Sequence, residues 1–214
     1  MVPGSRLLLK RVFDLAVTIP LAVLLVPVGC LLAIVIRVRL GSPILFRQMR
    51  PGFGGRPFQL LKFRTMTDAR GPDGRLLADA QRLLPFGRLL RRTSLDELPE
   101  LANVIRGDMS LVGPRPLLMA YLERYSATQA RRHEMPPGIT GLAQVNGRNL
   151  LSWEERFDLD VWYVDHWSLW LDAKILVKTA LKVLAREGIS QPGRETADEF
   201  MGSAATGGGA GRPL

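Results

Sequence analysis

The first forty residues contain the longest apolar stretch of the chain. Residues 15–36 include no charged side chain. A helix of about 20 apolar residues is long enough to cross the hydrocarbon core of a bilayer. Pro20 and Pro27 interrupt the stretch, and a proline inside a helix kinks or breaks it. The pattern therefore predicts a membrane segment with an interruption.

Two courses through the membrane fit this segment. Basic residues flank it on both sides, namely Arg6, Lys10, Arg11, Arg37, Arg39, Arg47 and Arg50. Lys and Arg next to membrane segments favour the cytoplasmic side, so this rule gives a spanning helix no orientation. A re-entrant segment that enters the membrane, turns near Pro27 and returns would satisfy the rule at both flanks. A plain span fits the length equally well, and the residues alone leave both courses open.

After residue 40 the apolar positions form shorter, periodic runs. Residues 44–47 and 58–64 are strand-like and are separated by prolines and glycines, which predicts a β-hairpin. Lys62 and Arg64 lie two positions apart, so both would emerge on one face of the second strand. They form either a solvated edge or an anion site. Residues 82–92 mix apolar and basic side chains, which suits an interfacial element beside anionic lipid.

The leucines from residue 95 onward recur at helical spacing, and two adjacent carboxylates precede them. Ser94 and Glu97 have the spacing of a capping box, which predicts a helix that begins at Ser94 and ends near Gly107. Asp96 and Glu97 in its first turn would complement the helix dipole. Alternatively, a carboxylate at this position acts as a nucleophile toward phosphorus or as a ligand for a divalent cation.

Two further segments are unusual in composition. Arg115 stands between Pro114 and Pro116, so its guanidinium would project from a stiff loop, as bidentate phosphate recognition favours. A polar helix is expected over 117–132. The following loop, 136–149, contains three glycines and the donors Gln144, Asn146 and Arg148. It could cradle phosphates or contact a nucleobase. Both segments could equally be structured surface turns.

The pattern of the C-terminal third predicts a helical region followed by a tail. Residues 152–187 have helical periodicity and begin with a second capping box, Ser152 and Glu155. All four tryptophans lie here, and they would form either an interfacial belt or a core. Basic residues recur every fourth position at Lys174, Lys178, Lys182 and Arg186, which is typical of a helix lying on a membrane. Small residues dominate 191–214, so a flexible tail is expected.

Charge and cysteine content narrow the choice of partners. The 214 residues include 29 Lys and Arg against 20 Asp and Glu, a net charge of +9. This excess favours anionic partners such as phosphorylated ligands, an anionic membrane or nucleic acid. The basic residues are dispersed and no nucleic-acid motif is present, so a nucleic-acid partner is not expected. The single cysteine, Cys30, excludes an internal disulfide and a cysteine-based zinc cluster.

Five stretches together resemble a known family. In chain order they read KRVFD, KFRTM, SLDELP, GDMSLVGPRP and PGITGLAQVNGR, at residues 10–14, 62–66, 94–99, 107–116 and 137–148. The set resembles the bacterial sugar transferases, the monotopic phosphoglycosyl transferases, over about residues 8 to 190. The likeness is closest to the small PglC-like members. One departure is Val26 before Pro27, where those proteins commonly carry a serine.

The resemblance implies an enzyme that transfers a phosphosugar from a UDP-sugar, here expected to be N-acetylated, to undecaprenyl phosphate and releases UMP. Mg²⁺ is the implied cofactor. Asp96 would be the nucleophile that forms a covalent phosphosugar intermediate and would also bind the metal, with Glu97 assisting. We hypothesise that the following residues contact the substrate: Lys62, Arg64, Arg115, Gln144, Asn146 and Arg148.

The expected fold is α+β and mostly helical, with a small β-hairpin and amphipathic interfacial helices. Residues 1–40 would form a re-entrant membrane helix-turn-helix broken at Pro27, and residues 41–190 a catalytic domain. This domain would lie on the cytoplasmic face of the bacterial cytoplasmic membrane, at its inner leaflet. A homodimer stays open. The competing hypotheses are a non-catalytic membrane scaffold and a membrane-attached nucleic-acid-binding protein.

Overall fold

A single long helix opens the structure, a computed structural model that describes residues 4–147, 151–185 and 199–202. Helix α1, Gly4–Arg39, contains both Pro20 and Pro27. In the described chain it is the one helix long and apolar enough to cross a membrane. Its most apolar 18-residue window has a mean hydropathy of 2.9, and only 6% of that window is buried in the protein. An N-terminal membrane helix is therefore confirmed.

The structure differs from the predicted helix-turn-helix at Pro27. The segment continues as one helix through both prolines, without an intervening loop. A proline removes one backbone hydrogen bond and crowds the preceding turn, and a bend within a helix can absorb both effects. The re-entrant course of α1 stays a prediction.

The N-terminal half of α1 is fixed to the rest of the protein by buried polar contacts. Lys10 is 1% exposed, and its Nζ donates to Asp172 Oδ2 at 2.6 Å. The same carboxylate accepts from Tyr163 Oη at 2.7 Å and from Trp167 Nε1 at 3.0 Å. Asp14 Oδ1 accepts from the backbone N–H of Leu111 at 3.2 Å. A buried charge is tolerated only with such partners, so this network holds α1 in place.

The C-terminal end of α1 contacts the same domain through apolar packing. Ile36 and Leu40 are buried in a cluster with Phe63 and Leu90. Between the two attachments, many apolar side chains of α1 are exposed, namely Leu21, Val23, Leu24, Val26, Val28, Leu31 and Ile34. Exposed apolar surface of this extent is expected where lipid replaces water.

Two small sheets support the site. The predicted hairpin is confirmed as β1, Leu45–Pro51, and β2, Pro57–Phe63, which pair antiparallel with Phe46 opposite Lys62. Strands β3, Ser110–Val112, and β4, Gly138–Thr140, pair in parallel, although the sequence predicted loops there. Three-residue strands have too short a pattern to be recognised from their own sequence.

The remaining described elements are short until the last third of the chain. They are α2 Asp79–Arg82, α3 Pro85–Arg92, α4 Glu100–Arg106, α5 Ala127–Ala130, α6 Leu142–Asn146, α7 Trp153–His166 and α8 Leu169–Ala185. The predicted helix over 117–132 is instead α5 between the 3-10 helices Met119–Arg124 and Arg131–Glu134. The predicted helix over 152–187 is interrupted at Trp167 and Ser168, between α7 and α8. The capping box at Ser152 and Glu155 is confirmed.

The tryptophans divide between core and surface. Trp167 is buried, whereas Trp162 is 46% and Trp170 is 69% exposed. Trp153 joins an aromatic cluster formed with Tyr121, Tyr125, Phe157 and Phe200. Phe200 comes from the segment expected to be a flexible tail. Residues 199–202 pack against the domain, and the other predicted tail residues lie outside the described part.

Candidate functional site

The two adjacent carboxylates lie in a tight turn. Leu95–Glu97 is a 3-10 helix, and the α-helix, α4, begins only at Glu100. Ser94 has a φ of 54°, in the left-handed region, and its side chain caps no helix. The predicted capping box at Ser94 and Glu97 is therefore wrong, because Glu97 turns to other partners. Left-handed backbone at a non-glycine residue costs about 1–3 kcal/mol and concentrates at functional sites.

Glu97 joins two cations from distant parts of the chain. Its Oε1 accepts from Lys62 Nζ at 2.8 Å and from Arg115 Nη2 at 2.5 Å. Strand β2 supplies Lys62, and the segment after β3 supplies Arg115. The structure thus brings three of the predicted site residues together beside Asp96.

The charges in this cluster fix the protonation state of Glu97. Burial alone would raise the pKa of Glu97, but Arg115 and Lys62 outweigh this effect and hold the pKa well below its usual range. Glu97 in turn raises the pKa of the Arg115 guanidinium. A carboxylate with so low a pKa is a poor general base. The arrangement suits a role for Glu97 in holding Lys62 and Arg115 in place.

Asp96 has the opposite electrostatic setting. It is 8% exposed, and burial, followed by the negative charge of Glu97, raises its pKa from 3.8 to about 6. The predicted stabilisation of this carboxylate by a helix dipole is not found, because α4 begins four residues later, at Glu100. Asp96 is nevertheless largely ionised above neutral pH. A carboxylate destabilised by burial binds incoming positive charge, or attacks an electrophile, more readily than a well-solvated one.

Glu100 belongs to the cluster, although the sequence analysis did not single it out. Its Oε1 lies 3.0 Å from Lys62 Nζ, and the residue is 2% exposed. Burial raises the pKa of Glu100 to about 7. The available signal was its spacing: Glu97 and Glu100 are three positions apart, which places them on one face of a helix.

The side chain of Asn103 explains why Lys62 reaches the cluster. Asn103 is fully buried; its Oδ1 accepts from Leu61 N at 3.0 Å, and its Nδ2 donates to Gln59 O at 2.8 Å. One amide from α4 thus bonds to the edge of β2 on both sides of Leu60. This contact fixes the strand against the helix, and Lys62 follows directly.

The glycine-rich segment contributes a backbone carbonyl and an amide. Gln144 Nε2 donates to Ile139 O at 2.8 Å, and Arg115 Nη1 lies 3.4 Å from the same oxygen. Gly113 packs tightly on this segment, since a Cβ added at Gly113 would lie 2.3 Å from one of the segment's backbone oxygens. Gln144 is therefore next to the cluster. Asn146 is exposed and donates to Leu142 O, and Arg148 lies outside the described residues.

Arg64 was also predicted to contact the substrate, and the structure shows its guanidinium bound to protein groups. It is 8% exposed, and its guanidinium donates to Met66 O at 2.8 Å, to Ser42 O at 2.7 Å and to Asp68 Oδ2 at 2.7 Å. These contacts join the end of β2 to two loops. The geometry therefore gives Arg64 a structural role, whereas Lys62 faces the carboxylates.

The donor set fits a magnesium ion held jointly with substrate. Among the described residues no group of three metal-binding side chains is present, and Lys62 and Arg115 already neutralise Glu97. Mg²⁺ commonly uses one or two protein carboxylates together with substrate phosphates and water. Asp96 fits the role of the protein carboxylate in such a site.

Comparison with known proteins identifies the family of this chain. The family described as "Bacterial sugar transferase" matches residues 5–186. An uncharacterized sugar transferase, EpsL of Bacillus subtilis, is 56% identical over 92% of this chain and 98% of its own length. A UDP-glucose:undecaprenyl-phosphate glucose-1-phosphate transferase of Caulobacter vibrioides is 44% identical over 83% of this chain and 70% of its own.

A third relative is considerably longer than this chain. The undecaprenyl-phosphate galactose phosphotransferase of Salmonella typhimurium is 40% identical over 86% of this chain, but the match spans only 42% of that enzyme. The match over most of the chain shows that this protein belongs to the bacterial sugar transferase family.

Proposed function

We propose that this protein is a phosphoglycosyl transferase that moves a sugar 1-phosphate from a UDP-sugar to undecaprenyl phosphate and releases UMP. The observation that carries the proposal is the buried carboxylate of Asp96 beside the cations Lys62 and Arg115, which Glu97 holds together. Family membership and the substrates named for two relatives support it. The reaction would be the first membrane step of glycoconjugate assembly.

The chemistry follows from the charges of the cluster. A carboxylate oxygen of Asp96 attacks the phosphorus that bears the sugar, the phosphoanhydride bond breaks, and UMP leaves with the bonding electron pair. An oxygen of undecaprenyl phosphate then attacks the same phosphorus and releases Asp96. Lys62 and Arg115 stabilise the negative charge of the diphosphate in both steps. Mg²⁺, held partly by Asp96, would neutralise charge on the departing phosphate.

The sugar is tested by a substrate panel. The purified protein in detergent with Mg²⁺ and undecaprenyl phosphate is given UDP-glucose, UDP-galactose, UDP-GlcNAc, UDP-GalNAc or UDP-di-N-acetylbacillosamine, and UMP is measured. We expect UMP release with one or a few of these UDP-sugars, and we propose that the preferred substrate carries an N-acetylated sugar. Absence of UMP with every sugar would refute the enzyme proposal and favour a non-catalytic scaffold.

Replacing Arg115 by Lys tests phosphate recognition. The variant keeps a positive charge but loses the planar fork that can contact Glu97 and a phosphate together. We expect the KM for the UDP-sugar to rise and kcat to fall, each about tenfold, which corresponds to loss of about one charged hydrogen bond. Arg75→Lys, in which the altered side chain is 88% exposed, is the matched control. Wild-type kinetics in Arg115→Lys would show that the fork has no role.

The contacts of α1 support a monotopic, re-entrant membrane attachment. A span would place one end of the helix about 30 Å from the domain, across the bilayer. Instead Lys10 near one end and Leu40 just after the other both pack on the same domain. The domain would then lie on the cytoplasmic face, where the basic flanks of α1 favour it.

Cysteine labelling tests this topology. Single cysteines replace Arg6 or Arg39 in a Cys30→Ala background, with Arg75→Cys, 88% exposed in the domain, as the reference. An impermeant maleimide should leave all three unlabelled in intact cells and label all three after permeabilisation. Labelling of one flank alone in intact cells would establish a span. Adding Pro27→Ala should make part of one flank accessible from outside, because a straighter helix favours crossing.

A further inference from the structure

Arg132 is a buried arginine that contacts the backbone of Arg115. Arg132 is 2% exposed, and all three nitrogens of its guanidinium donate hydrogen bonds. Nε and Nη2 donate to Asp160 Oδ2 at 3.1 and 2.6 Å, and Nη1 donates to Tyr125 Oη at 3.3 Å. Nη2 also donates to the backbone carbonyl of Arg115 at 2.8 Å. A buried guanidinium in which all three nitrogens donate is held in one orientation, because any rotation breaks several of these bonds.

The carbonyl that Arg132 binds is the last of three consecutive backbone anchors. Gly113 N donates to Thr140 O at 2.9 Å, and Pro114 O accepts from Gly138 N at 3.1 Å. These bonds fix the segment up to Pro114 against β4. The contact from Arg132 then fixes the peptide unit of Arg115 itself, from which the side chain reaches Glu97.

Aromatic rings enclose the Arg132 guanidinium. Its centre lies 5.8 Å from the ring of Tyr125 and 5.6 Å from that of Phe157. Phe200 packs on these two rings, at centroid distances of 5.9 and 4.9 Å. Phe200 is 1% exposed, and its N–H donates to Tyr121 Oη at 3.1 Å. A segment near the C-terminal end of the chain thus completes the apolar enclosure around Arg132.

We propose that Arg132 is a positioning residue for the reaction, which holds Arg115 toward Glu97, and that Phe200 is required to keep Arg132 in that orientation. The catalytic part of this inference rests on the proposed function, whereas the effect on the Arg115 side chain does not. Arg132 and Phe200 act through Arg115 and contact no substrate.

The neighbouring arginine provides a matched control. Arg131 lies beside Arg132 in the same 3-10 helix and also pairs with an aspartate of α7, Asp165, but this pair is at the surface. Arg132→Lys keeps the charge and loses the fork that spans Asp160 and the Arg115 carbonyl. A displacement of about 1 Å at a catalytic group can reduce the rate about a hundredfold. We expect Arg132→Lys to slow the first release of UMP about 10- to 100-fold and Arg131→Lys to leave it unchanged.

A double-mutant comparison separates positioning from general loss of structure. If Arg132 acts through Arg115, adding Arg132→Lys to Arg115→Lys should cause little further loss of rate, because the two effects are not additive. If Arg132→Lys instead causes a general structural defect, it should slow the Arg115→Lys enzyme by the same factor by which it slows the wild type. Additive effects would overturn the proposal.

Phe200 is tested in the same manner. Phe200→Ala removes a ring from beneath Tyr125 and Phe157, and Phe200→Tyr retains it. We expect Phe200→Ala to slow UMP release about tenfold, with Phe200→Tyr restoring most of the rate. Met201→Ala, in which the altered side chain is 63% exposed, should have wild-type activity. Equal rates in Phe200→Ala and the wild type would remove Phe200 from the proposal.

The closing experiment monitors the Arg115 side chain by NMR and requires no catalytic activity. The Nε–H NMR signals of the full, detergent-solubilised protein are recorded with ¹⁵N-arginine, and Arg115→Lys identifies the Arg115 signal. The proposal predicts a shifted or broadened Arg115 signal in Arg132→Lys and in Phe200→Ala, and none in Arg131→Lys. An unchanged Arg115 signal would refute the inference. If the Arg115 signal changes in the variants as predicted but the wild-type protein releases no UMP from any UDP-sugar, only the proposed function is refuted.

Discussion

Asp96→Asn is expected to abolish UMP release while the protein stays folded and membrane-bound. Asparagine has nearly the same size but lacks the ionised oxygen that attacks phosphorus, so the rate should fall by about three or more orders of magnitude, as for other nucleophile deletions. The fold should tolerate the change, because burial already raises the pKa of Asp96 to about 6 and thus disfavours its charge. We expect a melting temperature equal to or above that of the wild type.

The covalent step gives this prediction a direct readout. The wild-type enzyme mixed with UDP-sugar and Mg²⁺ alone should release up to about one equivalent of UMP and carry a phosphosugar adduct on Asp96. Mass spectrometry should find no adduct in Asp96→Asn, and Asp165→Asn at the surface should resemble the wild type. Removal of Mg²⁺ by EDTA should suppress the release. An adduct on another residue, or full activity in Asp96→Asn, would disprove the assignment.

Asp172→Asn is expected to destabilise the protein by about 3–5 kcal/mol, because it leaves the ammonium of Lys10 buried without its ion partner. Lys10 is 1% exposed and Asp172 is fully buried, so water cannot replace the lost contact. Chemical unfolding in detergent, followed by the tryptophan signal, measures the change. Arg131→Gln, which breaks a surface ion pair, should alter the unfolding midpoint little.

The double variant Lys10→Met, Asp172→Asn sharpens this test. It removes both charges. The oxygen of the introduced amide can accept from Trp167 Nε1 while its NH2 group donates to Tyr163 Oη, so the double variant should recover much of the stability lost in Asp172→Asn. If the single and double variants are equally unstable, the loss arises from the hydrogen bonds to Tyr163 and Trp167. If Asp172→Asn unfolds like the wild type, the buried ion pair is not a source of stability.

Local sequence patterns predicted the elements that are defined by their own residues. The β1–β2 hairpin, the end of α4 near Gly107 and the capping box of α7 each follow from signals within a few positions. The same signals failed at Ser94, because Glu97 forms stronger contacts with Lys62 and Arg115 than a helix cap would provide. The α+β class and the membrane helix were predicted from composition and periodicity, which are also local properties of the sequence.

The site itself depends on contacts between distant positions. Glu97 meets Lys62 across 35 residues and Arg115 across 18, and Arg132 meets Asp160 across 28. No local pattern records such pairs. Local patterns made Lys62, Arg115, Asp96 and Glu97 candidates with alternatives left open, and the resemblance of their motifs to a family favoured the functional role. Glu100 and Arg132 were missed because burial, which gives each its role, is a property of the folded chain.

The Lys10–Asp172 contact also constrains the order of events during synthesis. Lys10 emerges from the ribosome 162 residues ahead of its partner. Throughout that interval its ammonium must stay hydrated at the lipid headgroups, since an unpaired charge is strongly disfavoured inside either protein or bilayer. The apolar part of α1 can enter the membrane early, but the N-terminal end of the helix reaches its final position only after α8 has been made. The docking of α1 on the domain is therefore completed only after most of the chain has been made.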